Sequence, residues 1–156
     1  MSQTSQIAKH FRDVHLGGNW TAINLKDQLS DLTYKEAMIE VEGLNSIAKL
    51  AYHIQYYYLG ATKVLEGGSL DIKDKFSFDL PEIKDQSEWD AFLAEMWNSV
   101  EKFAKLVEQI PDDKMGEHFE DKKYGNYFRN LHGIIEHSHY HLGQIVVQKK
   151  MLRTGH

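Results

Sequence analysis

The stretch NSIAKLAYHIQYYYLGATKVLEGG, residues 45–68, decides the fold class. Ile47, Leu50, Ala51, Ile54, Tyr58, Ala61 and Leu65 recur at three- and four-residue steps, which lines one face of an α-helix and fits no strand period. Asn45 reads as its N-cap and Gly67-Gly68 as its stop, so the spacing predicts a helix over 45–66. Two further segments have the same character. Behind a cap-like Ser87-x-x-Asp90, the residues Trp89, Phe92, Leu93, Met96, Val100, Phe103, Val107 and Ile110 keep helical spacing as far as Pro111. Gly125-Asn126 opens another apolar-periodic run to about Leu152, beyond which Arg153 to His156 read as frayed. Toward the N-terminus, Ile7, Phe11 and Val14 mark a helix over 4–15 that Gly17-Gly18 ends. Leu25, Leu29 and Leu32 with the capping-box pattern Thr33-x-x-Glu36 read as broken helix. Residues 67–85 and 111–124 read as connections, the first long enough to cross over. The expectation is an all-α four-helix bundle with a long crossover connection, one domain over 1–156.

Composition narrows the chemistry. The 156 residues are 42% hydrophobic and 26% charged, ordinary globular values. No apolar run reaches the roughly 20 residues of a membrane span, and the start MSQTSQIAKHFRD lacks the basic-then-apolar order of a secretory signal. A cytoplasmic, non-membrane protein is expected. There is no cysteine, which removes disulfides, thiolate metal sites and cysteine nucleophiles. A net charge of -5 gives no basic field for a nucleic-acid backbone, so nucleic acid is not an expected partner. Lys122-Lys123 and Lys149-Lys150 read as solvated faces or complements to a helix dipole.

The unusual feature is nine histidines, four of them within 132–141. Residues four apart on a helix lie one above the other, so His137 and His141 can face one ion. With about 100° per residue, Leu131, Ile135, Ser138, Leu142, Ile145 and Val146 form the buried stripe, and His137 and His141 fall at its edge with Gln144 nearby. His53 borders the stripe of its own helix in the same way. Two imidazoles from one helix and one from another leave a divalent ion at least one open position, the arrangement of catalysis rather than scaffolding. The plainer alternative is that His137 and His141 are half-exposed surface residues and His53 a hydrogen-bonded core histidine. His132 and His139 fall on the opposite flank, and Glu136 points away, so no H-E-x-x-H logic applies. Among the tyrosines, Tyr56 and Tyr57 share the side of His53 and, with Gln144, are the candidates for a substrate pocket. No catalytic acid or base stands out.

The string NLHGIIEHSHYHLGQI, residues 130–145, resembles the signature of the DinB-like or YfiT-like superfamily of metal-dependent enzymes. That pattern is a histidine, three residues, then a histidine followed by x-Gly-Gln, and here it reads HSHYHLGQ over 137–144. A second landmark, a histidine inside the second long helix after a Ser-hydrophobic start, is met by His53, and WTAINLKDQLSDLTYKEA, residues 20–37, is similar to the family's broken N-terminal segment. The resemblance implies His53, His137 and His141 as ligands of a divalent metal, and a homodimer; neutral imidazoles suit zinc, nickel, copper or iron, with zinc or nickel favoured. For activity it implies a thiol-dependent S-transferase using a low-molecular-weight thiol, or a hydrolase, acting on a small-molecule substrate. A noncatalytic bundle with a vestigial metal site is the competing reading.

Overall fold

The computed structural model describes residues 1–41 and 43–155, and among them no β-strand forms. The six α-helices are α1 (Gln3–Leu16), α2 (Leu25–Leu29), α3 (Tyr34–Met38), α4 (Ile47–Leu65), α5 (Gln86–Glu108) and α6 (Tyr127–Thr154). The all-α expectation therefore holds. The four long helices contact one another in a ring, with α1 and α4 each packed against both α5 and α6. No helix among the described residues is long and apolar enough to cross a membrane.

Local chemistry sets the boundaries, and it shifts several of those expected. Helix α4 is capped by the Ser46 hydroxyl, which accepts from the Lys49 amide, and not by Asn45. Helix α5 is capped by Asp85, which accepts from the Glu88 amide, so Ser87 lies inside the first turn. In both cases the cap is the residue immediately before the first helical turn, because only from there does a side-chain oxygen reach the N3 amide. The Thr33–Glu36 capping box forms as read, and opens α3. Helix α6 runs two residues beyond Leu152, and Gly155 closes it in the left-handed region at φ 73°. Arg153 is not frayed: its guanidinium holds the Asp31 and Glu36 carboxylates. His156 lies outside the described residues.

The core is filled from all four long helices. Phe11 of α1 packs on Phe103 of α5 at 4.6 Å between ring centroids, and edge-on against Tyr58 of α4 at 5.5 Å. Ile47, Ile54, Trp89, Met96, Leu131 and Ile145 are all buried around them. Each such side chain contributes about 1.5–3 kcal/mol by leaving water, and Tyr58 keeps its hydroxyl bonded to Ser99. Lys149, expected on a solvated face, is instead buried, with its ammonium donating to the Gln28 carbonyl and the Asp31 carboxylate. That ammonium ties α6 to the end of α2.

Candidate metal centre

Helix α4 lies against α6, and that contact brings together the three histidines singled out by spacing. His53 projects from the middle of α4, while His137 and His141 project one turn apart from α6. One ligand atom from each lies within 4.8 Å of the other two. Centroid separations are 4.8 Å for His53–His137, 4.7 Å for His53–His141 and 4.5 Å for His137–His141. His53 and His141 are buried and His137 half-buried.

These donors fit a divalent ion. The Nε2 atoms of His53 and His137 stand 3.0 Å apart. Two nitrogens bound to one ion at about 2.0–2.1 Å, with angles between octahedral and tetrahedral, would stand about 2.8–3.4 Å apart. Two neutral imidazole lone pairs facing each other at such a distance repel unless a proton or a cation lies between them. Around His141 the second donor set is in place: its Nδ1–H donates to the Gln144 amide oxygen at 2.7 Å, which leaves Nε2 as the unprotonated atom. His53 Nδ1 is buried without a well-formed hydrogen bond, although the Ser77 main chain lies close enough to favour its protonated form.

Electrostatics keep the rings neutral. Burial pulls the pKa of His53 down to about 4, with His141 adding to the effect. Burial likewise holds His137 at about 4, reinforced by His141 and His53. His141 is lowered by burial and partly restored by its bond to Gln144. Neutral imidazole is the form that binds a metal.

The surroundings are aromatic. Phe78, from the connection between α4 and α5, stacks face to face on His53 at 3.9 Å and 5°. Tyr57 sets its ring edge against both His53 and His137, at 5.0 and 4.8 Å. Tyr57 and His137 also line a cavity of about 700 Å³ together with Phe128 and His132. Of the expected pocket residues, Tyr57 thus reaches a cavity at the site. Tyr56 does not: its hydroxyl accepts from the Lys73 amide and donates to the Lys73 carbonyl, fastening the connection to α4. Gln144 acts through His141, and lines a separate cavity of about 480 Å³ with Leu50 and Tyr140. His139 faces His10 at 5.9 Å and His132 packs on Phe128, both apart from the three rings, as their angular positions predict. Phe78 was not found by sequence reasoning, because an aromatic residue in an irregular connection carries no periodicity that assigns it a neighbour.

Comparison with protein-family models, with curated proteins and with solved structures finds no match.

Proposed function

We propose that this chain is a metal-dependent enzyme of the DinB-like and YfiT-like kind, with His53, His137 and His141 holding one divalent ion. The observation that carries the reading is the meeting of three imidazoles from two helices, with ligand atoms within 4.8 Å of one another. Three protein donors, one of which, His137, lines an open cavity, match catalytic metal sites, which keep a position free, rather than closed structural ones. Imidazole donors without carboxylate or thiolate suit zinc, nickel, copper or iron, and this reading takes zinc or nickel. Bound there, such an ion supplies Lewis acidity to one exchangeable ligand.

The chain's own residues supply the rest. Gln144 holds His141 with its Nε2 free, and Phe78 and Tyr57 wall His53 off from water. The cavity beside Tyr57 and His137 admits a small-molecule substrate. The reaction in this reading is transfer of a low-molecular-weight thiol to an electrophile, or hydrolysis. The same reading takes residues 1–156 as one four-helix bundle with 67–85 as its crossover, acting as a homodimer in the cytoplasm.

Elemental analysis of the purified protein, beside the His53→Ala and His141→Ala variants, tests the centre. About one equivalent of metal in the wild type and a loss in both variants is expected; retention in both would remove the site. Metal-loaded protein is then screened with low-molecular-weight thiols plus electrophiles, and with esters and amides. Turnover assigns the class, whereas metal binding without any turnover favours the noncatalytic module.

A further inference from the structure

The connection leaving α4 doubles back along it. Ile72 lies at Gly60, Lys73 and Asp74 lie at Tyr56 and Tyr57, and Phe78 lies at His53, so the segment descends α4 as its own numbering rises. Seven residues of helix separate Gly60 from His53, about 10 Å of axis. Three kinds of contact hold the segment down. The Tyr56 hydroxyl exchanges hydrogen bonds with the Lys73 main chain at 2.9 and 3.0 Å, and the Tyr57 hydroxyl donates to Asp74 at 2.9 Å. Ser77 is buried, with its main chain close to the His53 ring. At the upper end, a Cβ on Gly60 would stand 2.4 Å from Ile72 Cγ2.

We propose that residues Ile72–Phe78 form a brace that fixes the His53 ring for metal binding, and that Gly60 is the positioning residue that lets the brace close on α4. The inference rests on the metal-centre reading. Carbon atoms need about 3.5 Å, so a methyl at Gly60 must drive Ile72 outward by about 1 Å. Rotation offers little relief, because Cγ2 sits on the branched carbon next to the main chain and χ1 of isoleucine is stiff. The displacement passes down a short, pinned segment to Phe78, whose stack on His53 at 3.9 Å has no slack. A gap of 0.5–1 Å already removes about a quarter to a half of the dispersion attraction between facing atoms. His53 then loses one wall, and its ring is free to turn Nε2 away from His137.

The test compares wild type, Gly60→Ala, Gly60→Ala/Ile72→Ala and Phe78→Leu. Two readouts are taken: zinc affinity by competition against a chelator, and the upfield ring-current shift that Phe78 imposes on the His53 ring protons in metal-free protein. Gly60→Ala is expected to lose most of that shift and to weaken zinc binding about tenfold, the scale of outer-shell effects. Its melting temperature should not fall in proportion, because alanine is the better helix former. Removing Cγ2 in the double variant should restore both readouts, which a merely destabilising change would not do. Phe78→Leu should weaken zinc binding similarly, and carries the test alone if Gly60→Ala does not fold. The proposal is overturned if the ring-current shift survives in Gly60→Ala, or if it is lost while zinc affinity stays at the wild-type value. Wild type that keeps the ring-current shift and binds no zinc overturns the metal-centre reading, and the role given to the brace falls with it.

Discussion

Replacing Gln144 by leucine should cost the site 10- to 100-fold in zinc affinity without unfolding the protein. The His141 Nδ1–H donates to the Gln144 amide oxygen at 2.7 Å, three residues along the same helix, and His141 is only 7% exposed. While that acceptor is present, the proton of the neutral ring stays on Nδ1 and Nε2 keeps its lone pair for the ion. Leucine has similar bulk and helix propensity but no acceptor, so the ring can put its proton on Nε2, where it blocks ligation. Losses of 10- to 100-fold typical of outer-shell partners correspond to about 1.4–2.8 kcal/mol of binding free energy. Gln144→Glu keeps an acceptor at the same reach and adds charge, so it should bind zinc at least as tightly as the wild type. Competitive chelator titrations at pH 7.5, with thermal unfolding of the metal-free proteins as control, give the comparison. Wild-type affinity in Gln144→Leu, or an equal loss in Gln144→Glu, would refute the orienting role.

Two further outcomes concern the scaffold. His15 is fully buried, and burial pulls its pKa from the ordinary 6.5 to about 4 against the opposing pull of its bond to the Phe11 carbonyl. The unfolded chain takes up this proton below pH 6.5 and the folded chain only near pH 4, so the contribution is intact above pH 6.5 and is lost as pH falls toward 4. The loss is about 1.4 kcal/mol per pH unit and about 3 kcal/mol in all, and urea unfolding of His15→Leu from pH 7 to 4.5 should show a slope smaller by one proton. Thr33→Ala removes one half of the capping box that opens α3, and should lower stability by about 1 kcal/mol in the same assay, with zinc affinity unchanged.

Helical periodicity made most of the fold legible, because it is a property of each segment alone. Ile47, Leu50, Ala51, Ile54, Tyr58 and Ala61 were placed on one face by spacing, and all are buried. The same arithmetic put His137 and His141 at the edge of the α6 stripe and separated them from His132 and His139. Where two rules competed, spacing did not decide. Asn45 and Ser46 are both good caps, as are Asp85 and Ser87, and a shift of one residue in the first case and two in the second chose between them. Lys149 next to Lys150 looked like a solvated pair, since nothing local announces that Asp31 and the Gln28 carbonyl await one of them more than a hundred positions away.

Contacts made by the irregular connections are of another kind, and Gly60 shows why. Glycine inside a helix weakens it by about 1 kcal/mol relative to alanine, so its presence in α4 is a local rule broken. Sequence alone cannot say for what. Gly133 and Gly143 break the same rule in α6, yet a Cβ at either would meet nothing within 4 Å, whereas at Gly60 it would meet Ile72 at 2.4 Å. The three glycines are indistinguishable by propensity and differ only in what returns to cover them. The fold can therefore be read from segments, whereas the centre depends on segments meeting: α4 against α6 for the three imidazoles, and the returning connection against α4 for the aromatic wall on His53. Substitutions at Gly60 and Phe78, which are absent from any histidine motif, should for that reason perturb metal binding more than a substitution at His139, which lies between two ligands in sequence and packs against His10 in space.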